Sequence, residues 1–166
     1  MQTISLKDDF PPGFYDELAR VVVAFGRLEY LIKLCVKALI DEGFTKGMAE
    51  AESNSQFSKL CEVAKKRADD KLNPTEAKKF FGLIQQAKDL AEFRNSAVHA
   101  SWTSDENGLP LRISPSWAKV KGAVNWTRSR VVGVRELQDA REKIECLRRA
   151  LDAERKAWSI SKAGEG

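Results

Sequence analysis

Between Phe14 and Leu39 apolar residues recur at three- and four-residue intervals, through Leu18, Val21, Val22, Phe25, Leu28, Ile32 and Val36. That spacing lines up on one stripe of a 3.6-residue helix, so a long amphipathic helix ending near Gly43 is predicted after the extended lead-in "DDFPPG". Gly26 lies inside it and costs about 1 kcal/mol relative to Ala, a loss that the close approach of a neighbouring helix would offset. "GFTKGMAEAESN" reads as a connection, and a second helix starts near Ser53 or Ser55, with Phe57, Leu60, Cys61 and Ala64 inward and a polar end at "KKRADDK".

A third helix has a clear start. Asn73 can cap the orphan amides, Pro74 suits the first helical position, and Glu76 completes a capping box. Its apolar positions Phe80, Ile84, Ala87, Ala91 and Val98 carry the helix to about His99. The period then changes. From His99 to Val134 the chain is rich in β-branched residues, holds the turn signals "ENGLP" and "SPS", and alternates around Lys119 to Trp126, which predicts an antiparallel hairpin or meander. Helix resumes at Val134 or Arg135 on Leu137, Ala140, Ile144, Leu147, Ala150 and Leu151, and frays over about 160–166. The expected fold is mainly α: an antiparallel four-helix bundle with a small β excursion between the third and fourth long helices, forming one domain over 1–166.

Composition changes this picture little. The start lacks a basic region followed by an apolar run, and later apolar stretches are broken by charge, so a soluble cytoplasmic protein with no membrane segment is expected. Cys35, Cys61 and Cys146 are odd in number, widely spaced and placed among apolar helical positions, which reads as reduced core residues. The net charge of +4 is modest, but its distribution is uneven. No acid lies between Glu106 and Glu136, while Lys119, Lys121, Arg128 and Arg130 occur there beside Trp117 and Trp126. Such a segment can attract phosphate and stack on bases, or it can be a solvated sheet face whose tryptophans pack on helices.

The chain's single histidine, His99, closes the stretch "DLAEFRNSAVHASW". Asn95 and His99, four apart, share a helical line, whereas Arg94 falls roughly 140° away on the apolar stripe, where an unpaired charge is costly. A carboxylate, an anionic ligand or a second subunit must attract that guanidinium. Glu29, which interrupts the apolar rows of the first helix, is the carboxylate best placed to do so; such a pair would account for both residues structurally. Lys88, Glu92, Asn95 and His99 share a polar stripe, where Glu92 is either a neighbour of the site or simply solvated. Metal, phosphate-loop and serine-triad chemistries lack their parts: there is no second histidine, glycine-rich loop or serine-centred motif.

"RNSAVH" resembles the R-N-x-x-x-H motif of the HEPN domain superfamily, and "AFGRLEYLIKLCVKAL" is similar to the first long helix of many such proteins, with an acid mid-helix. The motif's place, late in the third helix and before a β segment and closing helix, agrees. The resemblance implies a metal-independent endoribonuclease of toxin–antitoxin or phage-defence type, without cofactor, working as a homodimer with the two motifs facing one another. Arg94 would then clamp the phosphate, Asn95 position the scissile group or the imidazole, and His99 transfer protons. Imidazole suits either proton-transfer role near neutral pH. Glu29 and Glu92 would be supporting residues, and Lys119, Lys121, Trp126, Arg128 and Arg130 would bind RNA. A cognate antitoxin or regulatory protein is a further implied partner. Val98 stands where one branch carries a modified tyrosine, which excludes that modification here. Many members of the superfamily only bind, so a non-catalytic module for RNA, a nucleotide or a protein is the other reading.

Overall fold

A computed structural model of the chain describes residues 9–40, 43–52, 56–105, 107–117 and 124–163; the side chains of 43, 44, 50, 52, 114–117, 124–130 and 159–163 also lie outside the description. The described elements run α1 (Phe14–Leu39), α2 (Gly43–Glu52), α3 (Phe57–Lys71), α4 (Pro74–Val98), β1 (Ser101–Ser104), β2 (Pro110–Trp117), β3 (Val124–Val131) and α5 (Val134–Ala163). The fold is thus mainly helical with a small antiparallel sheet, as the periodicity predicts.

α1 is the hub and packs against α2, α3, α4 and α5. It starts where Gly13 takes a left-handed turn at φ 82°, a conformation without penalty for glycine. Phe14, Val21, Phe25, Leu28 and Ile32 from the predicted stripe are buried. Phe80 and Ile84 of α4 and Leu137, Ile144 and Leu151 of α5 join them in one cluster. Val22, assigned to the same stripe, is instead exposed, because Val21 and the added inward positions Ala24, Leu31 and Cys35 turn the buried face away from it. Glu17 is the buried acid of this helix: it accepts 3.0 Å hydrogen bonds from Arg20 Nη1 and, across to α5, from Arg141 Nε.

Four further expectations are corrected. The connection after α1 is itself a helix, α2, held close because Gly47 has no side chain: a Cβ there would sit 3.1 Å from Lys37 Cα. Cys146 is exposed, unlike Cys35 and Cys61. "SPS" is not a turn but lies within β2, where the pairing with β3 shifts between Ser114 and Ser116; Pro115 brings no N–H to the ladder. α5 continues to Ala163, past residue 160 where fraying was expected to begin, and residues 164–166 of that tail lie outside the described residues.

The Asn73 cap forms as expected, with Oδ1 accepting from the amides of Thr75 at 3.1 Å and Glu76 at 3.0 Å. The three strands form a meander in the order β1-β2-β3. Its "ENGLP" turn closes on Asp105, whose Oδ1 accepts from Asn107 N and Leu109 N, with Gly108 at φ 75°. No described helix is long and apolar enough to cross a membrane.

Candidate functional site

The last turns of α4 leave the core as the chain prepares to enter the sheet. Ala91 and Ala97 are buried, but Val98 is 42% exposed, so the apolar stripe ends a turn earlier than its spacing indicates. His99 terminates the helix at φ −96°, ψ 4°, its amide donating to Asn95 O at 3.0 Å, and its side chain is exposed. The sheet clamps this end. Trp102 of β1 donates its indole N–H to Ala97 O at 2.9 Å, satisfying a carbonyl that a helix end leaves open, and packs edge-on against Phe14. Opposite Trp102 in the register, Arg112 of β2 donates to Ser96 Oγ at 2.7 Å, and that hydroxyl donates to Phe93 O at 2.8 Å.

Arg94 is half-buried between two neighbours. Its Nη1 donates to Asn95 Oδ1 at 2.7 Å, and its guanidinium carbon lies 5.1 Å from the centre of the Phe25 ring, a cation–π distance. Its Nε is buried and has no acceptor among the described residues. Glu29 does not supply one: its carboxylate pairs with Lys33, one turn along α1, at 3.9 Å. The expected Glu29–Arg94 ion pair is therefore not formed. An aromatic face and a neutral amide, rather than a carboxylate, hold this cation on the apolar stripe.

Glu29 and Arg94 nonetheless share a cleft of about 430 Å³ between α1, α3 and α4, whose rim also holds Lys88, Glu92, Asn95 and Ser58. Two acids and two bases face each other there, so the cleft is locally balanced in formal charge. Lys88, Gln56 and Ser58 were not marked as site residues by sequence reasoning. Lys88 was legible as part of the polar stripe, whereas Ser58 of α3 and Gln56, which precedes that helix, carry no local signal. The structure thus brings together Glu29, Glu92, Arg94 and Asn95. His99 is not among the residues lining the cleft.

Of the residues expected to bind RNA, Lys119 and Lys121 lie outside the described residues. Trp126, Arg128 and Arg130 fall on β3, where only their backbone positions are described: Arg130 is opposite Arg112 and Arg128 opposite Ser114. Burial pushes the thiol of Cys35 up to about 12 and that of Cys61 to about 11, so both are protonated and non-nucleophilic near neutral pH. Among the described residues, no three His, Cys, Asp or Glu side chains are grouped as a metal ion would need.

No protein-family model, curated protein or solved structure matches the chain.

Proposed function

We propose that this protein is a metal-independent endoribonuclease with a HEPN-type bundle, acting as a homodimer whose active site is shared between the two chains. The observation that carries the reading is the state of Arg94: a guanidinium fixed by Asn95 at the rim of a cleft, with one N–H lacking an acceptor. Turning that side chain toward an anion in the cleft gives Nε the partner it lacks, and a phosphodiester is the anion that the "RNSAVH" resemblance implies.

The chemistry follows from what RNA carries. The ribose 2′-hydroxyl attacks the adjacent phosphorus and gives its proton to a base. The bond from phosphorus to the 5′-oxygen breaks, and an acid protonates that oxygen, leaving a 2′,3′-cyclic phosphate and a 5′-hydroxyl. Arg94 stabilises the charge that builds on the phosphoryl oxygens, and Asn95 holds Arg94 in place. His99 moves a proton. Because His99 does not line its own chain's cleft, the partner's copy of this helix end is the source of the imidazole in this reading.

The test is digestion of RNA in excess chelator, comparing wild type with His99→Ala. Cleavage with 2′,3′-cyclic phosphate ends, lost by about 10²- to 10⁴-fold in a folded His99→Ala variant, is expected. Retained cleavage in that variant would remove His99 from the mechanism. Wild type that binds RNA without cutting it would leave a non-catalytic binding module.

A further inference from the structure

α1 carries a second apolar face that the fold does not use. Among the described residues seven large hydrophobic side chains are exposed, and four of them lie on this helix: Tyr15 (59%), Val22, Val23 (54%) and Tyr30 (52%). With the exposed Ala19 and Gly26 they form a row in which Tyr15, Ala19, Val22, Gly26 and Tyr30 recur at three- and four-residue spacings and Val23 stands beside Val22. At about 100° per residue these six positions fall within an arc of roughly 100°, opposite the buried stripe. The run is about 24 Å long at the helical rise.

The two glycines of the neighbouring helices point to what covers this face. Gly47 of α2 is small because Lys37 of α1 lies against it. Gly26 has no such reason: a Cβ built there meets nothing within 4 Å. Its cost to the helix, about 1 kcal/mol relative to Ala, is not recovered by packing among the described residues. Close approach of a helix from outside recovers it.

Charge identifies the occupant. Asp16 and Arg27 flank the same edge of the face, both exposed, and neither forms an ion pair among the described residues, although Arg20, Arg141, Arg148 and Arg155 all do. When two copies of α1 lie antiparallel about a two-fold axis near Val22 and Val23, like edges face one another. Ala19 then meets the partner's Gly26, Tyr15 meets the partner's Tyr30, and Asp16 comes within side-chain reach of the partner's Arg27. We infer that the Tyr15–Tyr30 face of α1 is a self-association surface on which a second copy of this chain packs its own α1 antiparallel, small residue against small residue. A face of this length favours a reversible dimer in the micromolar range over an obligate one. The symmetry also sets both Glu29 edges, and with them both Arg94 clefts, on one side of the paired helices. The interface itself stands whether or not the chain cleaves RNA.

The experiment is sedimentation equilibrium of the full chain over roughly 1 to 100 µM. Wild type is expected to dimerise. Gly26→Leu and Val23→Glu are each expected to weaken the dimer at least ~10-fold, with thermal melting of the dilute monomer no lower than wild type for Gly26→Leu, since that site is open. Asp16→Arg and Arg27→Asp each weaken association, and the combined D16R/R27D chain regains it. Asp16 also favours the helix start, so the rescue is read on the dissociation constant and not on the melting temperature. A monomeric wild type would overturn the inference and leave the face to a different protein. A dimer indifferent to Gly26→Leu and Val23→Glu would overturn it equally, and failure of the double reversal would overturn the antiparallel register.

Discussion

The two halves of α4 are one continuous helix built to opposite ends. In the first half, Asn73 satisfies two amides, Phe80 and Ile84 are fully buried, Phe80 meets Trp158 edge-on at 5.2 Å, and Lys79 reaches Glu154 of α5. In the second half, a cation sits over Phe25 with an unmet donor, Asn95 is exposed, and the helix ends on an exposed histidine. The first half is where side chains hold the fold. The second carries a buried donor without an acceptor among the described residues, Arg94 Nε, at the rim of a cleft, whereas the other such donor, Trp158 Nε1, lies on α5 beside Phe80.

The contrast can be tested by substitutions in each half. Phe80→Ala is expected to destabilise the protein by about 3–5 kcal/mol, read as a lower denaturant midpoint, because it opens a cavity beneath Trp158. Arg94→Leu is expected to do the reverse of this. Stability stays within about 1 kcal/mol of wild type, since the change removes an unsatisfied buried donor, while RNA cleavage falls about 10²- to 10³-fold. Asn73→Ala is expected to cost about 1 kcal/mol by uncapping α4, with cleavage per folded molecule unchanged.

The smallest expected effect lies outside α4, on α5. Hydrogen bonds from Lys156 and Arg155 hold the Asp152 carboxyl below its ordinary value of 3.8. A depressed carboxyl stabilises the folded state at pH values above 3.8, and that contribution is lost as pH falls through the folded value. Asp152→Asn is therefore expected to lower stability by less than about 1 kcal/mol at neutral pH, with the difference from wild type vanishing in acid melts. A difference that persisted at low pH would show that the effect is not ionic.

Much of this was legible along the chain, and the misses have physical causes. Asn73, Pro74 and the stripe of α1 are local signals, and they gave the elements their starts and inner faces. α2 was read as a connection because two glycines depress its helix propensity, and only the contact of Gly47 with Lys37 explains why it folds onto α1. Val22 was assigned to the core because apolar spacing cannot distinguish a face turned to its own chain from a face turned outward. Glu29 lines the same cleft as Arg94 but pairs with Lys33 instead of with it, since a neighbour four residues along the same helix is always within reach. Glu17, the buried acid, was passed over because its partner Arg141 is distant in sequence. Arg94 and Asn95 stand out in the sequence through the resemblance, and spacing alone does not show their direct hydrogen bond.

The proposed sharing of an active site between two chains is tested most directly by mixing two inactive chains. Arg94→Ala and His99→Ala are each expected to lose RNA cleavage as homodimers. After subunit exchange, mixed dimers carry one intact combination of Arg94 and the partner subunit's His99, so chelator-resistant cleavage should return to roughly a quarter of the wild-type rate. A mixture as inactive as its components, made from chains that demonstrably dimerise and whose wild type cuts RNA, would contradict a site shared between two copies.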